Sequence, residues 1–164
     1  MQLNGEAFFK VTPGSTFNVV TSSGIVTVIG TEFNVKQREK LFFIKCYEGT
    51  VSVKSDSILK TLNAGDSFKI YKGIISEGNF SSNKPNWIDH SSTFHAISLK
   101  DVLAELERQY SIEITAQGVD LEKLFTGSFI HDNLDQALIS ITQPMNLKYK
   151  LNLSNRVVLY EIKN

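Results

Sequence analysis

The chain has 164 residues, 41% of them hydrophobic, enough apolar material for one sizeable core or two small ones. Seventeen Lys and Arg balance seventeen Asp and Glu with no basic run, so the charge offers nothing to nucleic acid or to an anionic membrane surface. No stretch approaches the ~20 apolar residues that span a bilayer, and the lone Cys46 excludes an internal disulfide. The sequence opens amid strand-rich segments without a leader pattern, which suggests that Met1 is an introduced start.

From Ala7 to Tyr71, short apolar runs alternate with turn chemistry: AFFKV and TPGS, FNVVT and SSG, IVTVI and GTE, LFFIKCY and EG, TVSVK and SDS, then SFKIY after NAGD. Val, Ile, Phe and Thr dominate the runs and none sustains a helical period, so they predict strands of an all-β unit. Phe42, Ile44 and Cys46 share one face, and Val51 and Val53 continue it beyond the Glu48-Gly49 turn. The run between Gly24 and Gly30 is apolar at nearly every position. It predicts a strand covered on both sides, in a sandwich or a flattened barrel.

GNFSSNKPNW, Gly78 to Trp87, has no periodicity and reads as a connector. The division expected is an all-β unit at 1–80, a linker at 81–90 and an α+β unit at 91–164. Trp87, the single tryptophan, is either a plug at the joint or a partner contact.

The last third contains one unit twice. SLKDVLAELERQYSIEIT (Ser98 to Thr115) and NLDQALISITQPMNLKYKL (Asn133 to Leu151) align at an offset of 35 residues. Leu99 then falls on Leu134, Val102 on Ala137, Leu103 on Leu138, Leu106 on Ile141, Tyr110 on Met145, Ile112 on Leu147 and Ile114 on Tyr149. The i, i+3, i+4, i+7 spacing followed by alternation predicts a helix and then a half-buried strand in each copy. Ser98 with Asp101 and Asn133 with Gln136 supply capping signals. The first helix ends near Tyr110 and Ser111; the second must stop near Gln143, because Pro144 lacks an amide hydrogen. Weaker strand signals precede each helix, at Thr93 to Ile97 and Leu124 to Ile130. A last strand, Arg156 to Ile162, closes a hairpin around Asn152 to Asn155. The order predicted is β-α-β, β-α-β-β, a small α+β domain whose copies bury each other.

Chemistry-bearing patterns are scarce. His90, His95 and His131 lie at no metal-ligand spacing, and the β unit has no histidine at all. Cys46 within LFFIKCY reads as a buried thiol. Asp132 and Asp135 read as carboxylates favoured by the dipole at the start of the second helix. Tyr110 and Met145, equivalent in the two copies, read as core residues before a ligand clamp. Phosphate loops, G-x-S-x-G and C-x-x-C are absent, so neither an enzyme nor a cofactor is expected.

GEAFFKV (Gly5 to Val11), FNVVTSSGIVTVIGTEFNV (Phe17 to Val35), EGTVSV (Glu48 to Val53) and LNAGDSF (Leu62 to Phe68), in this order, resemble the FecR family of transmembrane anti-sigma regulators. FHAISLKDVLAELERQYSIEI is similar to the C-terminal domain of its Bacteroidetes-type members. The resemblance implies an all-β signalling domain followed by a domain like the secretin and TonB short N-terminal domain. It further implies a periplasmic location and a contact with the signalling domain of a TonB-dependent outer-membrane transporter that imports iron complexes or glycans. The output would be control of an extracytoplasmic-function sigma factor, held through a cytoplasmic segment. That segment and the transmembrane helix are missing here, so the chain is expected to be the periplasmic part of such a regulator.

Edge pairing of like domains is the contact expected, through Ile112, Glu113, Ile114 and Thr115 or through Leu147, Lys148, Tyr149 and Lys150, with Trp87 as a further candidate. Zero net charge predicts little salt dependence. Two other classes stay open. A carbohydrate-binding module would want a stripe of exposed aromatics, and the first 78 residues offer only Tyr47 and Tyr71 besides phenylalanines. An assembly module of a secretion or pilus machine would form rings, which light scattering separates from a monomeric regulator.

Overall fold

The computed structural model describes residues 1–152 and 155–161, and the chain divides into two units, Met1–Pro85 and Asn86–Asn164. Nine strands build the first: β1 (Gly5–Lys10), β2 (Phe17–Thr21), β3 (Gly24–Val28), β4 (Glu32–Arg38), β5 (Leu41–Glu48), β6 (Thr50–Ser55), β7 (Ile58–Asn63), β8 (Asp66–Tyr71) and β9 (Ile74–Asn79). They form two antiparallel sheets, ordered β1-β4-β5-β8-β9 and β2-β3-β6-β7. Phe33, Val35, Phe42, Ile44, Cys46 and Phe68 from the first sheet meet Val19, Val26, Val28, Val51, Val53 and Leu62 from the second in one core. Two open sheets over a shared core make a sandwich, and the flattened-barrel alternative falls because neither sheet closes.

Three of these strands were not legible as apolar runs. In β4 the turn signal GTE runs into a mixture of Phe, Val and polar residues; β7 (ILKTLN) alternates weakly; every residue of the edge strand β9 is exposed. β3 departs from its sequence pattern in another way. Val26 and Val28 are buried, but Ile25 is 40% and Ile29 66% exposed, so the strand is covered on one face only. An apolar run therefore did not require two covers here. Val51 and Val53 are buried as expected, but on the opposite sheet from Phe42, Ile44 and Cys46, since the chain changes sheets at Gly49. Gly49 has φ +77°, and a Cβ there would come within 2.9 Å of the Gly30 carbonyl oxygen. At Gly30, φ +75°, a Cβ would come within 2.6 Å of the Pro13 ring. The two glycine turns thus pack at one corner, where the Thr31 hydroxyl donates to the Thr50 carbonyl at 3.1 Å.

The second unit follows a 3₁₀ turn at Asn86–Asp89 and runs β10 (Ser91–Ser98), α1 (Leu99–Tyr110), β11 (Glu113–Gln117), β12 (Leu124–Ile130), α2 (Leu134–Thr142), β13 (Leu147–Asn152) and β14 (Arg156–Glu161). Leu153, Ser154 and Ile162 of the expected hairpin lie outside the described residues. Both helix starts carry the anticipated caps: the Asp101 amide donates to Ser98 Oγ at 3.3 Å and the Gln136 amide to Asn133 Oδ1 at 3.0 Å. α1 ends at Ser111 in a left-handed conformation, φ 52°, whereas α2 gives way at Gln143 before Pro144.

All seven aligned pairs of the repeat lie in one core or pack against it. Leu99, Val102, Leu106, Ala137 and Ile141 are fully buried, as expected of the inward stripe of an amphipathic helix. The repeat reaches further back than the helices: Phe94 and Phe129, also 35 apart, stack with ring centroids 5.6 Å from each other. β10 pairs antiparallel with β12. The strands after the helices do not pair with each other. β14 lies between them, parallel to β11 and antiparallel to β13, which leaves β11 and β13 as the two edges of that sheet.

Candidate partner interface

The residues singled out for partner contact separate into core, edge and face. Ile112 and Leu147 are buried at 9% and 7% exposure, so they anchor their strands and are not available at an interface. Ile114 and Tyr149 are half-buried against the core, and the Tyr149 hydroxyl donates a short hydrogen bond to Asp135 Oδ1 on α2. That bond, with burial second, pushes the tyrosine up to about 12. Glu113, Thr115, Lys148 and Lys150 are exposed. Trp87 is half-buried within the 3₁₀ turn, where its carbonyl accepts from the His90 amide at 3.2 Å.

The two edges differ in how their backbone is occupied. In β11 the Glu113 amide turns inward and donates to the Asn155 carbonyl at 3.0 Å. The next amide, that of Ile114, turns outward and is met by Glu107 Oε1 of α1 at 2.7 Å. A carboxylate on the neighbouring helix thereby takes the place of a strand partner at this one amide. Among the described residues no backbone hydrogen bond reaches β13 from outside its own sheet. This contrast had no signal in the sequence, since it depends on where α1 lies against β11.

The chemistry-bearing side chains have structural partners. Cys46 is fully buried, and burial pushes its thiol up to about 11, far from a reactive thiolate. Tyr110 donates to the Ile130 carbonyl at 2.7 Å and accepts from the Asn133 amide at 3.0 Å, tying the end of α1 to the start of α2. Met145 is buried in the core. His131 lies 2.9 Å from Ser92 Oγ through Nε2, and burial lowers its pKa. Among the described residues no three His, Cys, Asp or Glu side chains converge as metal ligands, and no helix is long and apolar enough to cross a membrane.

Both units have relatives. Residues 1–52 match the family model of the FecR protein, and residues 92–160 match that of the FecR C-terminal domain. Two crystal structures of a candidate anti-sigma factor from Parabacteroides distasonis ATCC 8503, at 1.65 and 2.50 Å, superpose with a TM-score of 0.89 at 26% identity. The alignments cover 99% of this chain and 80% or 79% of those chains. No curated protein sequence matches significantly. With both FecR domains present in order and the anti-sigma likeness running through the whole chain, this protein is a FecR-like regulator of the anti-sigma kind, a regulatory and not an enzymatic class.

Proposed function

We propose that the chain is the periplasmic receiving part of a transmembrane anti-sigma factor. Its second unit, like the short N-terminal domain of secretins and TonB-dependent receptors, docks the signalling domain of a TonB-dependent outer-membrane transporter. The message, import of an iron complex or a glycan, passes to an extracytoplasmic-function sigma factor held elsewhere in the regulator. The observation that carries this reading is the pairing of the two FecR matches with a second unit that leaves strand edges for another chain. Signalling contacts of modest area hold at about micromolar strength.

The test is calorimetry of the whole chain against the N-terminal signalling domain of the transporter encoded beside it. A saturating isotherm with a dissociation constant of about 1–10 μM is expected. No heat, and no co-elution at about 100 μM of each protein, would remove the reading.

A further inference from the structure

Net neutrality conceals a local asymmetry. On the outer face of the β11-β14-β13 sheet, the register sets Lys148 beside Tyr160 and Lys150 beside Val158, with Arg156 one row further. Lys150 Nζ lies 5.8 Å from the centroid of the Tyr160 ring. The acid on that face, Glu113, belongs to the far strand and is engaged by Arg156 Nε at 2.9 Å. Lys148 and Lys150 stand on the edge strand itself, exposed, and among the described residues neither forms an ion pair. The other face of β13 is apolar and only partly covered: Tyr149 is half-buried, and Leu151 is 50% exposed.

A strand laid along β13 has its side chains dictated by the two-residue period. Those on the outer face meet Lys148 and Lys150; those on the inner face cover Tyr149 and Leu151. Two of the competing edges are poorer templates. Glu107 occupies the outward amide of Ile114 in β11. In β10 the ladder is broken by a bulge between Phe94 and Ile97, where Ala96 has φ 49° and gives its amide to Thr126 Oγ1 at 2.9 Å.

We infer that the free edge of β13 accepts an extended protein strand alternating apolar and acidic residues, with carboxylates on Lys148 and Lys150, while Glu107 keeps β11 closed. This rests on the reading of the second unit as the receiver of a protein signal and names the chemistry of what it receives. It also replaces the expectation of salt-independent binding, because the contact is locally charged although the chain is not.

The probe is an acetylated and amidated peptide, Thr-Val-Glu-Val-Glu-Val-Thr, with its Glu-to-Lys counterpart, titrated into the ¹⁵N-labelled whole chain. Shifts confined to Lys148 to Asn152 and their strand partners are expected for the acidic peptide, weakening several-fold between about 50 and 300 mM salt. The Lys148→Glu, Lys150→Glu double variant should bind the acidic peptide about tenfold more weakly and acquire binding of the basic one, since two cross-strand attractions become repulsions. Rescue by the reversed peptide separates loss of the site from loss of the fold. Glu107→Ala should add a second set of shifts along β11. Shifts at β11 in the parent chain, a charge-reversed variant that binds as the parent does, or pairing of the chain with itself through β13 seen by light scattering would each overturn the inference. Binding of the transporter domain without binding of the acidic peptide would move the contact off β13 and leave the proposed function standing.

Discussion

His131 shows what one residue can say about pH. Its ring lies beside Phe129, with centroids 5.8 Å apart, and its amide donates to the His90 carbonyl at 2.8 Å. Burial lowers its pKa from 6.5; Glu105 and Asp132 oppose that and His90 adds to it, without reversing the direction. A histidine with a depressed folded pKa binds its proton more readily when unfolded. It therefore contributes stability that is whole above about pH 6.5 and is lost as the pH falls below it. All three histidines and Trp87 belong to the second unit, which begins at Asn86, so tryptophan fluorescence reports on the titrating unit. The melting temperature followed this way should drop between about pH 7.5 and 5.5, and His131→Gln should remove a measurable part of the drop. An unchanged pH profile in the variant would show that another group titrates. The alkaline side has its own reporter. Tyr149, raised to about 12, adds stability that is present below pH 10 and fades above it.

At the scale of elements, the repeat is the part whose energetics follow most directly from the sequence. Leu103 and Leu138 occupy equivalent positions on α1 and α2 and are 6% and 1% exposed in a common core. Leu103→Ala and Leu138→Ala should each cost about 2–5 kcal/mol, with Leu138 at the higher end because it is the more completely enclosed. Denaturant titrations of the two variants check the order as well as the size; near-neutral values would break the alignment. The helix ends were equally legible, because Ser98, Asn133 and Pro144 act through local backbone geometry. The sheet order was not. Alternation shows that Ile112 to Thr115 and Leu147 to Leu151 are strands, yet nothing local says that β14 enters between them. For the same reason the edge that Glu107 reaches and the one it does not look alike in the sequence.

For the whole molecule, the expectation is of two units that fold separately, joined between Phe80 and Pro85, where no strand or helix is formed. Gly78 and Asn79, read as connector, instead belong to β9, held to β8 in part by the Ser67 hydroxyl donating to the Gly78 carbonyl at 3.0 Å. Limited proteolysis with a protease of broad specificity should therefore cut first within the exposed stretch Ser81 to Asn83 and release two resistant pieces. First cuts within Gly24 to Val53 would argue against the two-unit division.

The sequence by itself determined the class of each half, the repeat and its buried positions, the helix caps and the identity of the family. These depend on local period and on short motifs such as the turns at Gly30 and Gly49. Tertiary structure alone decided which strands are neighbours, that Ile25 faces water, that Val51 and Val53 close the core from the opposite sheet, and that Glu107 meets the Ile114 amide at one edge while Lys148 and Lys150 line another. Strand pairing joins residues far apart in the chain through backbone groups common to every residue, so its partners leave no mark on the side chains from which a sequence is read.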